Sequence, residues 1–135
     1  MIFLDSNVPM YLVGKPHQNK DAAARFLAAA SEAGIPLVTD AEVFQEILHR
    51  YSAIRRPEAI APAFEVLADL VDRVFPVELA DVRLAARIVE RALPLQARDA
   101  LHLAIMERYG VSRILTFDRG FDAISGIERL PVSLE

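Results

Sequence analysis

Short apolar runs of strand length alternate along this chain with longer segments of helical periodicity, and this alternation limits the fold to very few classes. Ile2 to Leu4 form a first run, and residues 35–38 a second. Between them Ala23, Phe26, Leu27 and Ala30 recur at helical spacing, with Gly34 where a helix would stop. The same spacing returns at Val43, Phe44, Ile47, Leu48 and Tyr51, then at Ile60, Phe64, Leu67, Leu70, Val71 and Val74. It appears again at Leu84, Ala85, Ile88, Val89 and Ala92, and at Leu101, Ala104, Ile105 and Arg108, the last set closed by Gly110. Residues 74–77 suit an edge strand, because Pro76 is tolerated there and not at a sheet centre. Residues 114–117 and 130–132 are the last strand candidates. Strands alternating with helices imply an α/β fold, a parallel sheet covered on both faces.

At 135 residues with 53% hydrophobic content, the chain is expected to form one domain over 1–135 with a real core and no internal linker or repeat. It has no cysteine, which removes disulfides, zinc-thiolate sites and cysteine nucleophiles together. No apolar run approaches the roughly 20 residues needed to cross a bilayer, and Met1 to Asp5 lack a basic leader region, so a cytoplasmic protein without membrane contact is expected. The formal charge of -4 argues against holding nucleic acid by bulk electrostatics. It does not argue against a nuclease whose carboxylates are gathered around cations, since the ions cancel part of that charge.

Parallel sheets bind ligands beyond the carboxyl ends of their central strands, where strand order reverses. Asp5 follows the first apolar run and Asp118 the run that ends at Phe117. Each alone could be a turn or cap residue, but two carboxylates at one sheet edge repel unless a cation or proton relieves them. Glu46 lies in the second helical pattern, offset from its apolar set. Glu42 is assigned to a capping box with Thr39, which leaves Glu46 without a capping role. Asp99 opens the last helical pattern, where the helix dipole also favours an acid. An all-oxygen set of this kind suits Mg²⁺ or Mn²⁺.

Four motifs in order give these acids a context: Ile2-Phe3-Leu4-Asp5-Ser6-Asn7-Val8, Gln45-Glu46-Ile47-Leu48, Arg98-Asp99-Ala100-Leu101-His102-Leu103-Ala104 and Leu115-Thr116-Phe117-Asp118-Arg119-Gly120-Phe121. With them the chain resembles the PIN-domain family, and within it the small VapC-type toxins of toxin-antitoxin pairs. The resemblance covers essentially the whole chain and implies a three-layer sandwich around a parallel sheet of about four to five strands. It implies that Asp5, Glu46, Asp99 and Asp118 bind the metal, with Asn7 and Thr116 supporting them. Asp122, four residues after Asp118, is an alternative fourth ligand. It further implies RNA hydrolysis by water that Mg²⁺ or Mn²⁺ activates, through one ion or two, in a homodimeric toxin held inactive by a cognate antitoxin.

His102 stands one helical turn from Asp99 but among Leu101, Leu103 and Ala104, a setting that favours a hydrogen-bonded core residue over a metal ligand. Lys15, Lys20, His49, Arg50, Arg55 and Arg56 are candidates for RNA contact, steering phosphate toward the acids. Residues 8–13 are apolar on every side, so a helix there must be covered on all faces, either by neighbouring helices within a monomer or by the chain's own core together with a second copy or an antitoxin segment, the reading expected here. Two other readings compete with the nuclease. A haloacid-dehalogenase-like phosphatase requires a second Asp two residues after the first, where this chain has Asn7. A silent PIN-like binding module would not need all four acids.

Overall fold

The computed structural model describes residues 1–91 and 94–131. Five strands form one parallel sheet in the order β3-β2-β1-β4-β5: β1 (Ile2–Leu4), β2 (Leu37–Asp40), β3 (Arg73–Phe75), β4 (Arg113–Leu115) and β5 (Glu128–Leu130). Six helices connect them: α1 (Asn7–Val13), α2 (Gln18–Glu32), α3 (Ala41–Ala53), α4 (Ile60–Leu70), α5 (Leu79–Glu90) and α6 (Ala97–Arg108). Short 3₁₀ turns occupy Pro57–Ala59 and Arg119–Ala123.

The chain steps outward from β1 through β2 to β3, then returns to place β4 on the other side of β1. Right-handed crossovers put the helices of the outward steps on one face of the sheet and those of the return on the other. The packing agrees, with α1 against α2 and α4, α3 against α4, and α5 against α6. Both faces of the central strands are therefore covered, and β1 and β2 are buried at every position. Phe3 and Leu4 pair with Ile114 and Leu115 of β4, while Phe3 also pairs with Val38 of β2.

Local chemistry moves several boundaries from where periodicity places them. β2 begins at Leu37 and not Ile35, because Gly34 adopts a left-handed conformation (φ 68°) and Ile35 N–H turns back to Ala30 O at 3.0 Å to close α2. β3 ends at Phe75, before Pro76, and lies at the sheet edge. The third helical pattern stops at Leu70, since Val71 is already extended and Asp72 N–H bonds Leu37 O to start β3. β4 ends at Leu115, with Thr116 and Phe117 beyond it, and β5 runs Glu128–Leu130 because Pro131 has no N–H to continue it. Val132 and Ala92 lie outside the described residues. Val89 is exposed, whereas Ala85 and Ile88 of the same helix are buried.

The expected capping box does not form, and the N-cap of α3 lies one residue later. Thr39 belongs to β2, where it pairs with Val74, and its hydroxyl donates to Leu4 O at 2.9 Å. Asp40 caps α3 instead, accepting from Val43 N–H at 2.9 Å. Glu42 thereby loses its capping role.

Candidate metal centre

The crevice between the carboxyl ends of β1 and β4 is the point where strand order reverses, and Asp5 sits there, one residue past β1. Its N–H bonds Leu115 O at 3.1 Å, and its carboxylate is buried. Two donors hold that carboxylate: Ser6 N–H on Oδ1 at 2.8 Å and the Thr116 hydroxyl on Oδ2 at 2.7 Å. Thr116, itself fully buried, also accepts from the Asn7 side-chain amide at 3.0 Å and from Asp118 N–H at 3.1 Å. Asn7 Oδ1 accepts from Phe117 N–H at 3.4 Å. The first turn of α1 and the segment after β4 are thus tied to Asp5 through one hydroxyl. Asn7 spends its amide on that tie, at the position where a phosphatase of the haloacid-dehalogenase type would need a second carboxylate.

Glu46 comes from the second turn of α3 and is buried. Its Oε1 lies 2.6 Å from His102 Nε2, while His102 Nδ1 lies 2.6 Å from Asp40 Oδ2. His102 is a buried, hydrogen-bonded residue of the helix interior, and its partners are two carboxylates. Burial opposes charge on the ring, but hydrogen bonds and charge from Asp40 and Glu46 outweigh it and raise the His102 pKa well above the ordinary value. Burial likewise pushes Glu46 up, yet the hydrogen bond and charge of His102, with Ser6 and Arg98, bring its pKa below the usual value. For Asp5 burial prevails and the pKa is raised, against the pull of His102 and Thr116. One ligand-type atom from each of Asp5, Glu46 and His102 lies within 4.8 Å of the others.

Asp99 enters from the first turn of α6, half-buried. Its pKa is pushed up to about 6 by burial and then by the charge of Asp5, with smaller contributions from Asp118 and Glu46 and an opposing one from His102. One carboxyl group therefore feels the other three sequence-derived acids at once. Asp118 is exposed and caps the turn after β4, with Gly120 N–H on its Oδ1 at 2.8 Å. A Cβ at Gly120 would stand 3.1 Å from that oxygen, so glycine permits the close approach. Asp122 is engaged elsewhere: both its oxygens pair with Arg129, at 2.7 and 3.2 Å, and this holds its pKa low.

A PIN-domain model matches residues 2–127. The chain belongs to the PIN-domain family. It is 53% identical over 130 residues to Ribonuclease VapC13 of Mycobacterium tuberculosis, covering 96% of this chain and 99% of that one. In fold it is similar to the crystal structure of M. tuberculosis VapC20, described as a Sarcin-Ricin loop cleaving toxin, with a TM-score of 0.79 at 21% identity, covering 95% of this chain and 98% of that one. A toxin-antitoxin complex from Klebsiella pneumoniae contains a chain of the same fold, with a TM-score of 0.66 at 14% identity and coverage of 94% and 95%.

Within this PIN-domain chain the donor set fits a hard divalent cation. Burial and then the charges of Asp5, Asp118 and Glu46 disfavour the ionised form of Asp99, and oxygen-rich sites of this type relieve such strain by binding Mg²⁺ or Mn²⁺. Periodicity and motif reading missed Glu42, which faces Glu46 one helical turn away and has a raised pKa through burial and the Glu46 charge. They also missed Arg98, an exposed cation whose charge reaches both Glu42 and Glu46. No local pattern marks Asp40 as the anchor of His102, which lies 62 positions away in sequence.

Of the basic candidates, Arg50 lies one helical turn beyond Glu46 and is exposed, as is its neighbour His49. Arg55 and Arg56 sit past the end of α3, exposed, with Arg56 in an ion pair with Glu58 at 2.5 Å. Lys15 is exposed after α1, and Lys20 donates to Gly14 O at 3.0 Å.

Proposed function

We propose that this chain is a metal-dependent endoribonuclease, the toxin of a type II toxin-antitoxin pair acting in the cytoplasm, which hydrolyses RNA phosphodiester bonds. The observation that carries the reading is the buried meeting of Asp5 and Glu46 at the end of the sheet, supported by Asp99, whose pKa burial raises and the charges of Asp5, Asp118 and Glu46 raise further. These four acids hold Mg²⁺ or Mn²⁺, and Asn7 and Thr116 keep Asp5 in place. When bound, such an ion neutralises phosphate charge and makes water a competent nucleophile near neutral pH. The Thr116 hydroxyl and Ser6 N–H fix both Asp5 oxygens, so the carboxylate is oriented before substrate arrives. Arg98 and Arg50 flank the acids and supply cationic contacts for the RNA backbone, with Lys15, Arg55 and Arg56 farther out. Among the described residues no helix is long and apolar enough to cross a membrane.

The direct test is cleavage of total RNA by the purified chain with Mn²⁺ or Mg²⁺, with fragment ends sequenced after brief expression. Cleavage stopped by chelator supports the proposal. Absence of cleavage with either ion, which a silent binding module would give, overturns it.

Ion binding is also readable without substrate. At ten times the dissociation constant, linkage adds about 1.4 kcal/mol of stability, or roughly 5 °C in Tm. Mn²⁺ should produce this shift in the wild type and not in a variant with all four acids replaced by amides. The pH dependence has a definite sign. Because the Asp99 pKa is raised from 3.8 to about 6, the folded metal-free protein binds that proton more tightly than the unfolded chain. Its contribution to stability is present below 3.8 and is lost as pH rises through about 6. The ion competes with the same proton, so the Mn²⁺ shift should be largest above pH 6 and fade below it. A shift equal at both ends of that range, or equal in the amide variant, would mean a general salt effect.

Residues 8–13 support the partner side of the proposal. In α1, Val8 and Pro9 are buried, but Met10, Tyr11, Leu12 and Val13 stay only half-buried after α2 and α4 have packed against the helix. A homodimer contact or an antitoxin segment covers the remainder. Sedimentation of the purified chain should give a dimer, and replacing Tyr11 and Leu12 with Glu should weaken either the dimer or inhibition by the protein encoded beside it. A monomer at tens of micromolar refutes the dimer, and unchanged inhibition of the double variant refutes use of α1 by the antitoxin.

A further inference from the structure

His102 and Asp40 lie outside the set of acids assigned to the ion, yet they form a polar contact in which neither side chain is exposed. Both side chains are fully buried, and both ring nitrogens of His102 face carboxylate oxygens at 2.6 Å, Asp40 on one side and Glu46 on the other. The Phe3 ring of β1 packs at a tilt against the imidazole, with centroids 5.3 Å apart. Asp40 is doubly committed: one oxygen caps α3 through Val43 N–H at 2.9 Å, and the other meets His102. The result is a closed circuit in which Asp40 starts the helix that carries Glu46 and also anchors the ring that grips Glu46. α6 contributes Asp99 and His102 one turn apart on the same face, so it delivers an acid of the crevice together with this grip.

We propose that Asp40 and His102 are positioning residues for the metal centre, orienting the Glu46 carboxylate toward Asp5 without His102 itself contacting the ion. The inference rests on the metal-centre reading above. Its geometric ground is that both ring nitrogens are already turned to carboxylate oxygens, whereas a ligand histidine must turn one nitrogen to the metal. Glu46 is left with an oxygen within 4.8 Å of one from Asp5, and with its orientation set by a ring held between Asp40 and the Phe3 side chain.

The test uses Mn²⁺ on the whole chain, read by electron paramagnetic resonance for affinity and by spin-echo modulation with isotopically labelled histidine for direct nitrogen ligation. Three variants separate the roles. Asp40→Asn keeps a capping oxygen for Val43 but turns an amide to His102. His102→Asn retains a group near the Nδ1 position and loses the one facing Glu46. His102→Gln does the reverse, placing an amide donor near the Nε2 position. Asp40→Asn and His102→Asn should weaken Mn²⁺ binding by about 10 to 100-fold, the range for outer partners of metal ligands. His102→Gln keeps a donor for Glu46 but not the Asp40 anchor, and should lose less than His102→Asn. The wild type should show no histidine nitrogen bound to Mn²⁺, a measurement that needs no variant to fold. Labelled-histidine coupling in the wild type, or Mn²⁺ affinity unchanged in Asp40→Asn and His102→Asn, overturns the positioning role while leaving the metal centre standing. An equal loss in His102→Gln and His102→Asn overturns it too, since that is what a merely structural histidine would give. Failure of the wild type to bind Mn²⁺ at all overturns the metal centre and this role together.

Discussion

Asp5→Asn removes metal-dependent RNA cleavage, by about 100-fold or more, while the protein stays folded. Asp5 is the acid at the centre of the crevice, with both oxygens oriented by Ser6 and Thr116 and its charge the largest electrostatic influence on Asp99. An amide in its place has a similar shape but offers one weaker oxygen, and its NH₂ group confronts a donor where a carboxylate accepted. Burial of Asp5 already disfavours its charge, and Glu46 adds to the cost. Losing that charge should leave the metal-free Tm unchanged or higher. A second readout follows from the coupling: the Asp99 pKa should fall from about 6 toward the ordinary carboxylate value, measurable by carboxyl NMR titration. Wild-type cleavage by Asp5→Asn would remove it from the metal centre. An unmoved Asp99 titration would show that burial alone raises that group.

Thr116→Val should damage both stability and ion binding, although it alters one buried atom. The hydroxyl donates to Asp5 Oδ2 and accepts from Asn7 Nδ2 and Asp118 N–H, so a methyl group orphans three polar groups together. Leaving the buried Asp5 oxygen without its donor costs about 1 to 3 kcal/mol, which lowers Tm by several degrees in a chain of this size. Asp5 also loses half of its orientation, and Mn²⁺ affinity should fall by about 10 to 100-fold. Thr116→Ser, which restores the hydroxyl, should recover most of both losses. Wild-type melting and Mn²⁺ binding in Thr116→Val would show that the hydroxyl is not the tie between α1, β4 and Asp5.

The contrast between these residues and the Asp40-His102 pair marks what sequence pattern alone can reach. Asp5 and Asp118 were legible because an acid directly after an apolar run reports the carboxyl end of a strand. Glu46 and Asp99 were legible because helical periodicity says which residues lie off the apolar face. Each signal spans only a few positions. His102 reads from its neighbours as a core residue, and that reading is sound; that its core contains two carboxylates depends on α3 and α6 meeting across the end of the sheet. Arg98 and Glu42 join the acid rim for the same reason.

The sequence by itself determined the alternation of strands and helices, the parallel sheet, and the acids placed at strand and helix ends, because these follow from periodicity of two or 3.6 residues and from caps acting within one turn. Tertiary structure decided where β2 and α3 begin. Thr39 and Asp40 are both good capping residues, and only the pairing of Thr39 with Val74 in the sheet makes it strand and leaves the cap to Asp40. Tertiary structure also decided which acids share charge and which are taken by other partners, as Arg129 takes Asp122. Electrostatic coupling and hydrogen bonding depend on distances of a few ångströms between residues many positions apart in sequence, and those distances exist only once the layers have packed.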